Sequence, residues 1–356
     1  MIRVLVVEDS LVSQQLLVHI LSSTPDIQVV GTAGDGDGAI KAAKRLKPHV
    51  ITMDINMPKM DGYQATRRIM ETNPTPIIMV TASYDPKEVA KTFKALEAGA
   101  VTVIKKPAGV GHPDYERSMK ELTQTVKLMS EVKVVTRRPH LLRRQVTAPA
   151  PVTSVPKAKP KTEIKVVAMG ASTGGPIAIQ AILSELPLDF PVPVLIVQHM
   201  ADGFVHGFTE WLAESSGFPV SIASHGESPL PEHAYMAPDD HHMEVRSNGQ
   251  IVLSKKQPEN GMRPSISYLF RSVANVFGAD AIGVLLTGMG KDGAAELKLM
   301  KDAGAITIAQ DDLSSVVFGM PGEAIKLGAA NYVLPPDGIG ISLANLLGTA
   351  NQETRT

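Results

Sequence analysis

The chain has 356 residues, which is more than one ordinary domain core holds and favours two domains of common size. A formal net charge of −1 excludes a general field that would gather nucleic acid or an anionic membrane, and the absence of Cys excludes disulfides, thiolate metal sites and a cysteine nucleophile. The sequence has no apolar run of membrane-spanning length and no signal-peptide pattern at its start, so the protein is expected in the cytoplasm without direct membrane insertion.

Short β-branched runs alternate with helical patterns through residues 1–136. The predicted strands are residues 4–7, 29–32, 50–53, 77–80 and 101–104. The predicted helices are residues 11–21, 38–46, 64–70, 87–96 and 114–132. Regular alternation of this kind favours a parallel sheet covered by helices on both faces, with functional sites at the carboxyl ends of the strands. Residues 1–136 are therefore predicted to form a doubly wound α/β domain.

Residues 137–163 are rich in Pro, Ala, Thr and basic residues, which predicts a flexible linker. A second alternating region covers residues 164–350. Its predicted parallel strands are residues 164–169, 194–197, 220–223, 234–237, 282–286, 306–309 and 332–334. Residues 243–246 and 251–254 flank Asn248-Gly249, which is a strong hairpin signal. We predict a second doubly wound, Rossmann-like domain with an antiparallel hairpin.

Polar residues follow the predicted strands of the first domain: Glu8, Asp9, Asp54, Thr81 and Lys106. In an open parallel sheet these strand ends meet at one crevice. Clustered carboxylates repel one another unless a cation joins them, and hard oxygen ligands suit Mg²⁺. Such a metal could neutralise a phosphoryl group during in-line attack by a carboxylate. One acidic residue after a strand is more simply a helix cap, but five suitable groups make that explanation poor.

Each residue of this set then has a predicted role. Asp54 is the predicted nucleophile and phospho-acceptor. The predicted Mg²⁺ ligands are Asp9, Asp54 and the backbone carbonyl of Asn56, and Glu8 joins them directly or through water.

Two further groups are predicted to contact the phosphoryl group: Thr81 donates to one of its oxygens, and Lys106 pairs with it.

The segments VLVVEDS, PHVITMDINMPKMDG, IIMVTAS and KKP resemble the response-regulator receiver family. This resemblance implies a flavodoxin-like fold for residues 1–136 and the roles just described. It also implies a cis peptide bond between Lys106 and Pro107.

Ser172 lies in GASTGGP, after a predicted buried strand and before a helical pattern. Such a turn can present a hydroxyl at a strand-to-helix corner, although the motif alone fits an anion-binding loop with Ser172 as helix N-cap equally well. His199 follows the next strand and is the best placed of ten histidines for a general base. Asp292 follows a later strand, where it could orient the imidazole. Other histidines, including His241 and His242, are expected in loops or at the surface, although these two could also form a weak metal pair.

A dinucleotide-binding fingerprint competes with this triad. Gly288, Gly290 and Gly293 follow a strand and open a helix, and Asp311 follows the next strand. A cofactor site of this kind would leave the serine and the histidine without a function, and so short a pattern often occurs by chance.

The segments GASTGGP, IVQHM, RPSISYLFRSVA, LLTGMGKDGA and QDDLSSVVFGMP resemble the catalytic domain of the protein-glutamate methylesterases of chemotaxis. The resemblance implies five roles: nucleophile Ser172, base His199, orienting acid Asp292, oxyanion donor Met289 through its backbone N–H, and substrate contact Thr173. It implies hydrolysis of glutamate methyl esters on cytoplasmic chemoreceptor helices and deamidation of glutamines at the same site. The implied phosphodonor is a chemotaxis histidine kinase, and ester hydrolysis itself would need no cofactor.

Two non-hydrolase functions compete with this interpretation. A transcriptional output is disfavoured because no helix-turn-helix pattern or basic face follows the linker, so no nucleic acid partner is expected. A phospho-dependent adaptor would not need all three candidate triad residues. The linker motivates a regulatory hypothesis, in which the unphosphorylated receiver covers the Ser172 cleft and phosphorylation loosens it.

Overall fold

The computed structural model describes residues 1–82, 86–132, 134 and 163–347. The chain divides into two compact units, residues 1–147 and 148–356. The predicted linker lies outside the described residues except for residue 163, and the domain boundaries stay predictions. None of the helices among the described residues combines the length and the hydrophobicity that a transmembrane span requires.

The first unit contains a five-stranded parallel sheet with the order β2-β1-β3-β4-β5. Its strands are β1 (Ile2–Val7), β2 (Ile27–Ala33), β3 (Val50–Met53), β4 (Ile77–Thr81) and β5 (Thr102–Lys105). Its helices are α1 (Leu11–Ser22), α2 (Gly36–Leu46), α3 (Gly62–Thr72), α4 (Pro86–Glu97) and α5 (Tyr115–Met129). The strand order reverses between β1 and β3, which opens a crevice at their carboxyl ends. The predicted doubly wound, flavodoxin-like fold is confirmed.

Short polar side chains determine where the helices of the first unit begin. Ser10, Asp35 and Asp61 precede α1, α2 and α3, and each side chain accepts a hydrogen bond from a backbone N–H in the first turn. Replacing such a cap by Ala typically costs about 1 kcal/mol. The strands between these helices are strongly apolar, and every residue of β3 and β4 is buried. Caps and apolar strands together place the residues that follow β1 and β3 at the crevice.

The second unit contains a seven-stranded parallel sheet with the order β14-β13-β12-β6-β7-β9-β8. Its strands are β6 (Val166–Ala171), β7 (Val194–Gln198), β8 (Val220–Ile222), β9 (Ala234–Met236), β12 (Ala281–Leu285), β13 (Ile306–Gln310) and β14 (Tyr332–Leu334). Its helices are α6 (Gly175–Ser184), α7 (Val205–Ser216), α8 (Ile266–Phe277), α9 (Ala294–Asp302), α10 (Met320–Lys326) and α11 (Pro336–Leu347), with a short 3₁₀ helix at Gly278–Asp280. The order reverses between β6 and β12, so this sheet also has a crevice at a switch point. The second doubly wound fold is likewise confirmed.

The predicted antiparallel hairpin is also confirmed. Its strands are β10 (His242–Val245) and β11 (Ile251–Ser254), which pair on either side of the Asn248-Gly249 turn. Helix α8 packs beside this hairpin and against β6 and β12. Its buried residues recur at helical spacing and include Ile266, Leu269, Phe270 and Val273. Their burial holds the N-terminal end of α8 close to the second crevice.

Candidate functional sites

The acidic residues after β1 and β3 meet at the crevice of the first sheet. Glu8 is fully buried and Asp54 is 5% exposed, whereas Asp9 is exposed. One carboxylate oxygen from each of these three residues lies within 4.8 Å of the others. This set of hard oxygen donors fits a Mg²⁺ ion that keeps several of its waters.

Lys106 neutralises part of this negative charge. Its Nζ lies 2.9 Å from Oδ2 of Asp54 and 2.9 Å from the Glu8 carboxylate. Burial by itself would lower the pKa of Lys106, but the hydrogen bonds to Glu8 and Asp54 outweigh that effect and raise it. Burial raises the pKa of Glu8, and the hydrogen bond from Lys106 opposes that rise only in part. The crevice therefore balances two buried carboxylates with one ammonium group.

The remaining predicted residues lie around Asp54. Its second oxygen, Oδ1, accepts a hydrogen bond of 2.8 Å from the Ile55 backbone N–H. Thr81 is buried at the end of β4, and its carbonyl accepts a hydrogen bond of 2.8 Å from the Lys106 backbone N–H. Asn56 is exposed two residues after Asp54. The contribution of the Asn56 carbonyl to a metal site and that of the Thr81 hydroxyl to a phosphoryl group stay predictions.

The expected cis bond between Lys106 and Pro107 is wrong. Among the described residues, the cis peptide bond lies between Arg263 and Pro264. Lys106 is held by its backbone N–H bond to Thr81 and by its two carboxylate contacts, so its side chain reaches the crevice without that isomer.

Ser172 follows β6 directly, at the predicted strand-to-helix corner. Its backbone N–H donates to the Thr287 carbonyl at 3.0 Å, and its own carbonyl accepts from the Gly175 N–H at 2.8 Å. Gly288 lies against the serine, because a Cβ built at that position would come within 2.6 Å of Ser172 Cβ. This close approach explains the need for glycine at position 288. Ser172 is half-buried between its own turn and the loop that carries Gly288.

His199 follows β7, and its backbone N–H donates to the Ala171 carbonyl at 2.9 Å. The imidazole is 7% exposed, and its Nε2 lies 3.0 Å from Oδ2 of Asp292. Neither ring nitrogen makes a hydrogen bond to the Ser172 hydroxyl. The structure therefore pairs the histidine with the aspartate and joins the serine and histidine loops through the backbone. It does not connect the serine and histidine side chains directly.

Asp292 is almost fully buried, and several donors converge on its carboxylate. They are the Asn260 amide at 3.0 Å, the Ser265 and Ser267 hydroxyls at 2.8 Å each, and the Ile266 backbone N–H at 2.7 Å. Burial alone would raise the pKa of Asp292, but the His199 imidazole 3.0 Å away, with the Ser267 and Asn260 donors, holds it well below its usual range. The carboxylate also lies at the N-terminus of α8, where the helix dipole favours negative charge.

The residues that hold Asp292 have no recognisable pattern in the sequence. Ser265 and Ser267 lie in RPSISYLF, where the only available signal was their position at the start of a helical pattern. Asn260 is in a turn with φ of 54°, and no local pattern connects it with an aspartate 32 residues later. The donors therefore become recognisable only when the turn, the start of α8 and the loop after β12 are seen together.

The expectation that His242 lies in a loop or at the surface is wrong. His242 is the first residue of β10 and is fully buried. Its ring stacks on Tyr268 with centroids 3.8 Å apart, and its Nδ1 accepts a hydrogen bond of 3.2 Å from the Ser265 backbone N–H. This stacking and hydrogen bonding explain why a histidine is tolerated in the core.

Two further predicted residues flank the serine. The backbone N–H of Met289 donates to no acceptor among the described residues, and the Thr173 carbonyl accepts from the Thr287 hydroxyl at 2.9 Å. A free N–H beside a nucleophile is the kind of group that an oxyanion hole uses. The roles of Met289 and Thr173 stay predictions.

Two residues of the rival dinucleotide fingerprint, Gly288 and Asp311, make hydrogen bonds within the domain. The Gly288 N–H donates to the Val317 carbonyl, and the Gly288 carbonyl accepts from the Met320 N–H. Asp311 accepts from the backbone N–H and the hydroxyl of Ser314, three residues later. The glycine loop thus faces a neighbouring loop and the serine, and the aspartate closes a local turn. This bonding speaks against a pyrophosphate and ribose site.

Sequence comparison separates the chain into two matched regions. The model of the response regulator receiver domain matches residues 4–112. The model of the CheB methylesterase family matches residues 167–343. The two matched regions contain the first and the second crevice respectively.

Full-length relatives cover both regions together. The chain is 56% identical to a protein-glutamate methylesterase/protein-glutamine glutaminase of Nitrosospira multiformis, over 98% of this chain and 97% of the relative. It is 55% identical to a protein of the same name from Geobacter metallireducens, over 97% of this chain and 99% of the relative. Among solved structures, the CheB methylesterase catalytic domain of Thermotoga maritima is 38% identical, with a TM-score of 0.50, and covers 52% of this chain and 100% of that domain.

Proposed function

Because this chain belongs to the protein-glutamate methylesterase/protein-glutamine glutaminase family, with a receiver domain and a CheB methylesterase domain, we propose that it hydrolyses glutamate methyl esters of chemoreceptors under the control of phosphorylation. The same site would deamidate receptor glutamines. The observation that carries the proposal is the pairing of His199 with Asp292 at 3.0 Å, next to the turn that bears Ser172. Substrate helices and phosphodonor kinase would both be encountered in the cytoplasm.

The proposed reaction is acyl transfer through a serine ester. His199 accepts the proton of Ser172 while the hydroxyl oxygen attacks the γ-carbonyl carbon of the glutamyl ester. Since Nε2 of the ring faces Asp292, Nδ1 is the nitrogen that takes this proton. The imidazolium then protonates the departing methoxide, and methanol leaves. Water, activated by the same imidazole, hydrolyses the acyl-enzyme, and in deamidation ammonia leaves in place of methanol.

Asp292 and Met289 would act on the two charges that develop during the attack. The carboxylate of Asp292 faces the ring nitrogen and stabilises the imidazolium. The backbone N–H of Met289 would donate to the oxyanion, and losing one such donor typically costs about 3 to 4 kcal/mol of barrier. Thr173 would contact the substrate beside the nucleophile. Ester hydrolysis in this scheme uses only groups of the chain and water.

Control is proposed to begin at the first crevice, where Asp54 accepts a phosphoryl group from a chemotaxis histidine kinase. Mg²⁺ held there by Asp9, Asp54 and the Asn56 carbonyl, with Glu8 directly or through water, would neutralise phosphoryl charge. Supporting this assignment, the three carboxylates already lie within 4.8 Å of one another.

Two neighbours of Asp54 would complete the proposed response to phosphorylation. Thr81 would donate its hydroxyl to a phosphoryl oxygen, and Lys106 would exchange its contact with the Asp54 carboxylate for one with the phosphoryl group. The acyl phosphate carries a charge of about −2, where the free carboxylate carries −1. We infer that this change raises the rate of ester hydrolysis in the second unit.

The proposal is tested by measuring methanol release from a methylated receptor with and without a small-molecule phosphodonor. Ser172→Ala should lower the rate by about 10⁴-fold or more, because the nucleophile is lost. Ser184→Ala, an exposed serine on the neighbouring helix α6, should release methanol at the wild-type rate and serves as the matched control. Equal release by wild type and Ser172→Ala would contradict the serine mechanism.

Comparing methanol release with and without the phosphodonor tests regulation by phosphorylation separately from the mechanism of ester hydrolysis. Addition of the donor should raise the wild-type rate and leave the residual rate of Ser172→Ala unchanged. Hydrolysis that proceeds at one rate with and without phosphorylation would refute the regulatory part of the proposal while leaving the esterase part intact.

A further inference from the structure

Gln198 is the last residue of β7, and only 3% of it is exposed. Its side-chain Nε2 donates two hydrogen bonds, one to the Ser172 carbonyl at 2.9 Å and one to the His199 carbonyl at 2.7 Å. Those carbonyls belong to the proposed nucleophile and the proposed base. A single buried amide therefore bridges the main chains of both residues.

The other end of this amide is unusual for a buried polar group. Oε1 of Gln198 is buried and has no hydrogen-bond partner among the described residues. It lies close to the backbone of Gly175, since a Cβ built there would come within 2.0 Å of this oxygen. Leaving a buried acceptor unsatisfied typically costs about 1 to 3 kcal/mol. The Gln198 side chain thus carries the cost of an unsatisfied oxygen, while its nitrogen links the serine and histidine loops.

We infer that Gln198 is a positioning residue that sets the register between the Ser172 hydroxyl and the His199 imidazole, an inference that rests on the proposed serine hydrolase function. Because no direct hydrogen bond joins the two side chains, their separation depends on the main chains that carry them. Besides the Gln198 amide, these main chains are linked by the ladder between β6 and β7, which ends at the pair Ala171 and Gln198, and by the hydrogen bond from His199 N–H to the Ala171 carbonyl. A displacement of about 1 Å between reacting groups can cost about 100-fold in rate.

The deciding variant is Gln198→Met, which keeps the length of the side chain and removes both N–H donors. We expect kcat for methanol release to fall by about 100-fold while KM changes little, because substrate contacts are retained. The rate of covalent labelling of Ser172 by a small phosphonate reagent should fall by a similar factor. That reagent needs the nucleophile and the base but not the receptor.

Gln180→Met provides the matched control. The Gln180 amide lies on α6 and donates to the Ser215 carbonyl at 3.2 Å, so the substitution removes a comparable contact within the same unit. Each rate is divided by the number of molecules whose Ser172 is labelled when the labelling reaction is complete. This division corrects the rates for differences in the amount of folded protein. The control should keep the wild-type kcat and labelling rate on this scale.

The possible outcomes separate the two proposals. Wild-type kcat and labelling rate in Gln198→Met, per labelled site, would overturn the positioning role and leave the esterase proposal standing. Failure of the wild-type chain to label at Ser172 or to release methanol would refute the esterase proposal first.

A measurement on the wild-type chain applies even where Gln198→Met does not fold. With ¹⁵N-glutamine labelling, both side-chain amide protons of Gln198 should exchange slowly with solvent, as expected for two buried hydrogen bonds. Fast exchange of those protons would contradict the bridge itself.

Discussion

The two crevices place a nearly buried aspartate at the same point of the same architecture and surround it differently. Asp54 follows β3 and Asp292 lies in the loop after β12, both beside a reversal of strand order, and they are 5% and 4% exposed. Asp54 contacts one flexible ammonium, from Lys106, and one backbone N–H. Asp292 accepts from two hydroxyls, an amide and a backbone N–H, and also faces His199.

This difference in neighbours supports the proposed division of roles between the two carboxylates. Oxygen lone pairs that face a displaceable lysine or a cation can be turned towards an incoming phosphoryl group. Lone pairs saturated by fixed donors cannot attack anything, and a carboxylate held charged in that way can only orient and stabilise a neighbour. Strand topology places the aspartate, and the donors around it decide whether it reacts or supports.

The largest expected effect is the complete loss of phosphorylation in Asp54→Asn, because an amide cannot form the acyl phosphate. Incorporation from a radiolabelled small-molecule phosphodonor measures this, and basal methanol release should stay at the wild-type level. Asp37→Asn, an exposed position near the start of α2, should still incorporate label and is the control. Label retained in Asp54→Asn would show that the two aspartates are not divided as proposed.

The second effect is a fall in methanol release of about 10⁴-fold in Asp292→Asn, since the substitution disturbs the tautomer of His199 and removes its counter-charge. Phosphorylation of Asp54 should be unaffected. Asp280→Asn removes the surface pair with Lys165 in the same unit and should keep nearly full activity. A fall of less than about tenfold in Asp292→Asn would be inconsistent with an orienting role.

The third effect concerns stability and pH. Because the pKa of Asp292 lies well below its ordinary value, its contribution to stability is fully present above about pH 4 and is lost as the pH falls towards the folded-state pKa. The free energy of unfolding should be higher in wild type than in Asp292→Asn. This difference should be about 2 to 3 kcal/mol larger at about pH 6 than at about pH 2.

Urea unfolding followed by the fluorescence of Trp211 reports on this second unit, because Trp211 is the single tryptophan of the chain. A difference between wild type and Asp292→Asn that stayed constant with pH would contradict the prediction. Asp280→Asn is again the comparison, and its difference from wild type should vary less with pH.

The smallest effect is stabilisation of the first unit by the metal alone. Mg²⁺ at about ten times its Kd should raise the free energy of unfolding by about 1.4 kcal/mol, and a chelator should reverse the change. Amide hydrogen exchange in β1 and β3 measures it. Asp9→Asn should weaken the response, because it removes one of the three clustered carboxylates without disturbing a buried residue. Equal protection of wild type and Asp9→Asn by Mg²⁺ would exclude Asp9 as a ligand.

Much of the fold was predictable because strands and helices leave different periodicities in a sequence. All five strands of the first sheet and all seven of the second were predicted, and β3 and β14 have the predicted bounds. The hairpin strand β11 also has its predicted bounds, and the other predicted elements differ from the structure by one to three residues at one or both ends. The strand β2, for example, begins at Ile27 and ends at Ala33, because backbone pairing with β1 continues past its most apolar part.

The predicted site residues share one property, which is that each follows a strand closely in the sequence. Parallel strands bring such residues to one edge, so proximity could be inferred without coordinates. For Asn260, Ser267 and Gln198 the sequence carries no comparable signal. Polar residues like these occur in any loop or strand end, and only a contact with a distant segment distinguishes them.

Periodicity and strand topology were enough to predict two doubly wound sheets and to place Asp54, Ser172, His199 and Asp292 at strand ends, and the family resemblance was needed to prefer the triad over a dinucleotide site. Four features became visible only in the folded chain: the partners of each carboxylate, the ring nitrogen that faces Asp292, the burial of His242 and the bridge made by Gln198. The physical reason is directionality. Hydrophobic patterning acts along the chain and tolerates small displacements, whereas a hydrogen bond requires two distant groups to meet within a few tenths of an ångström.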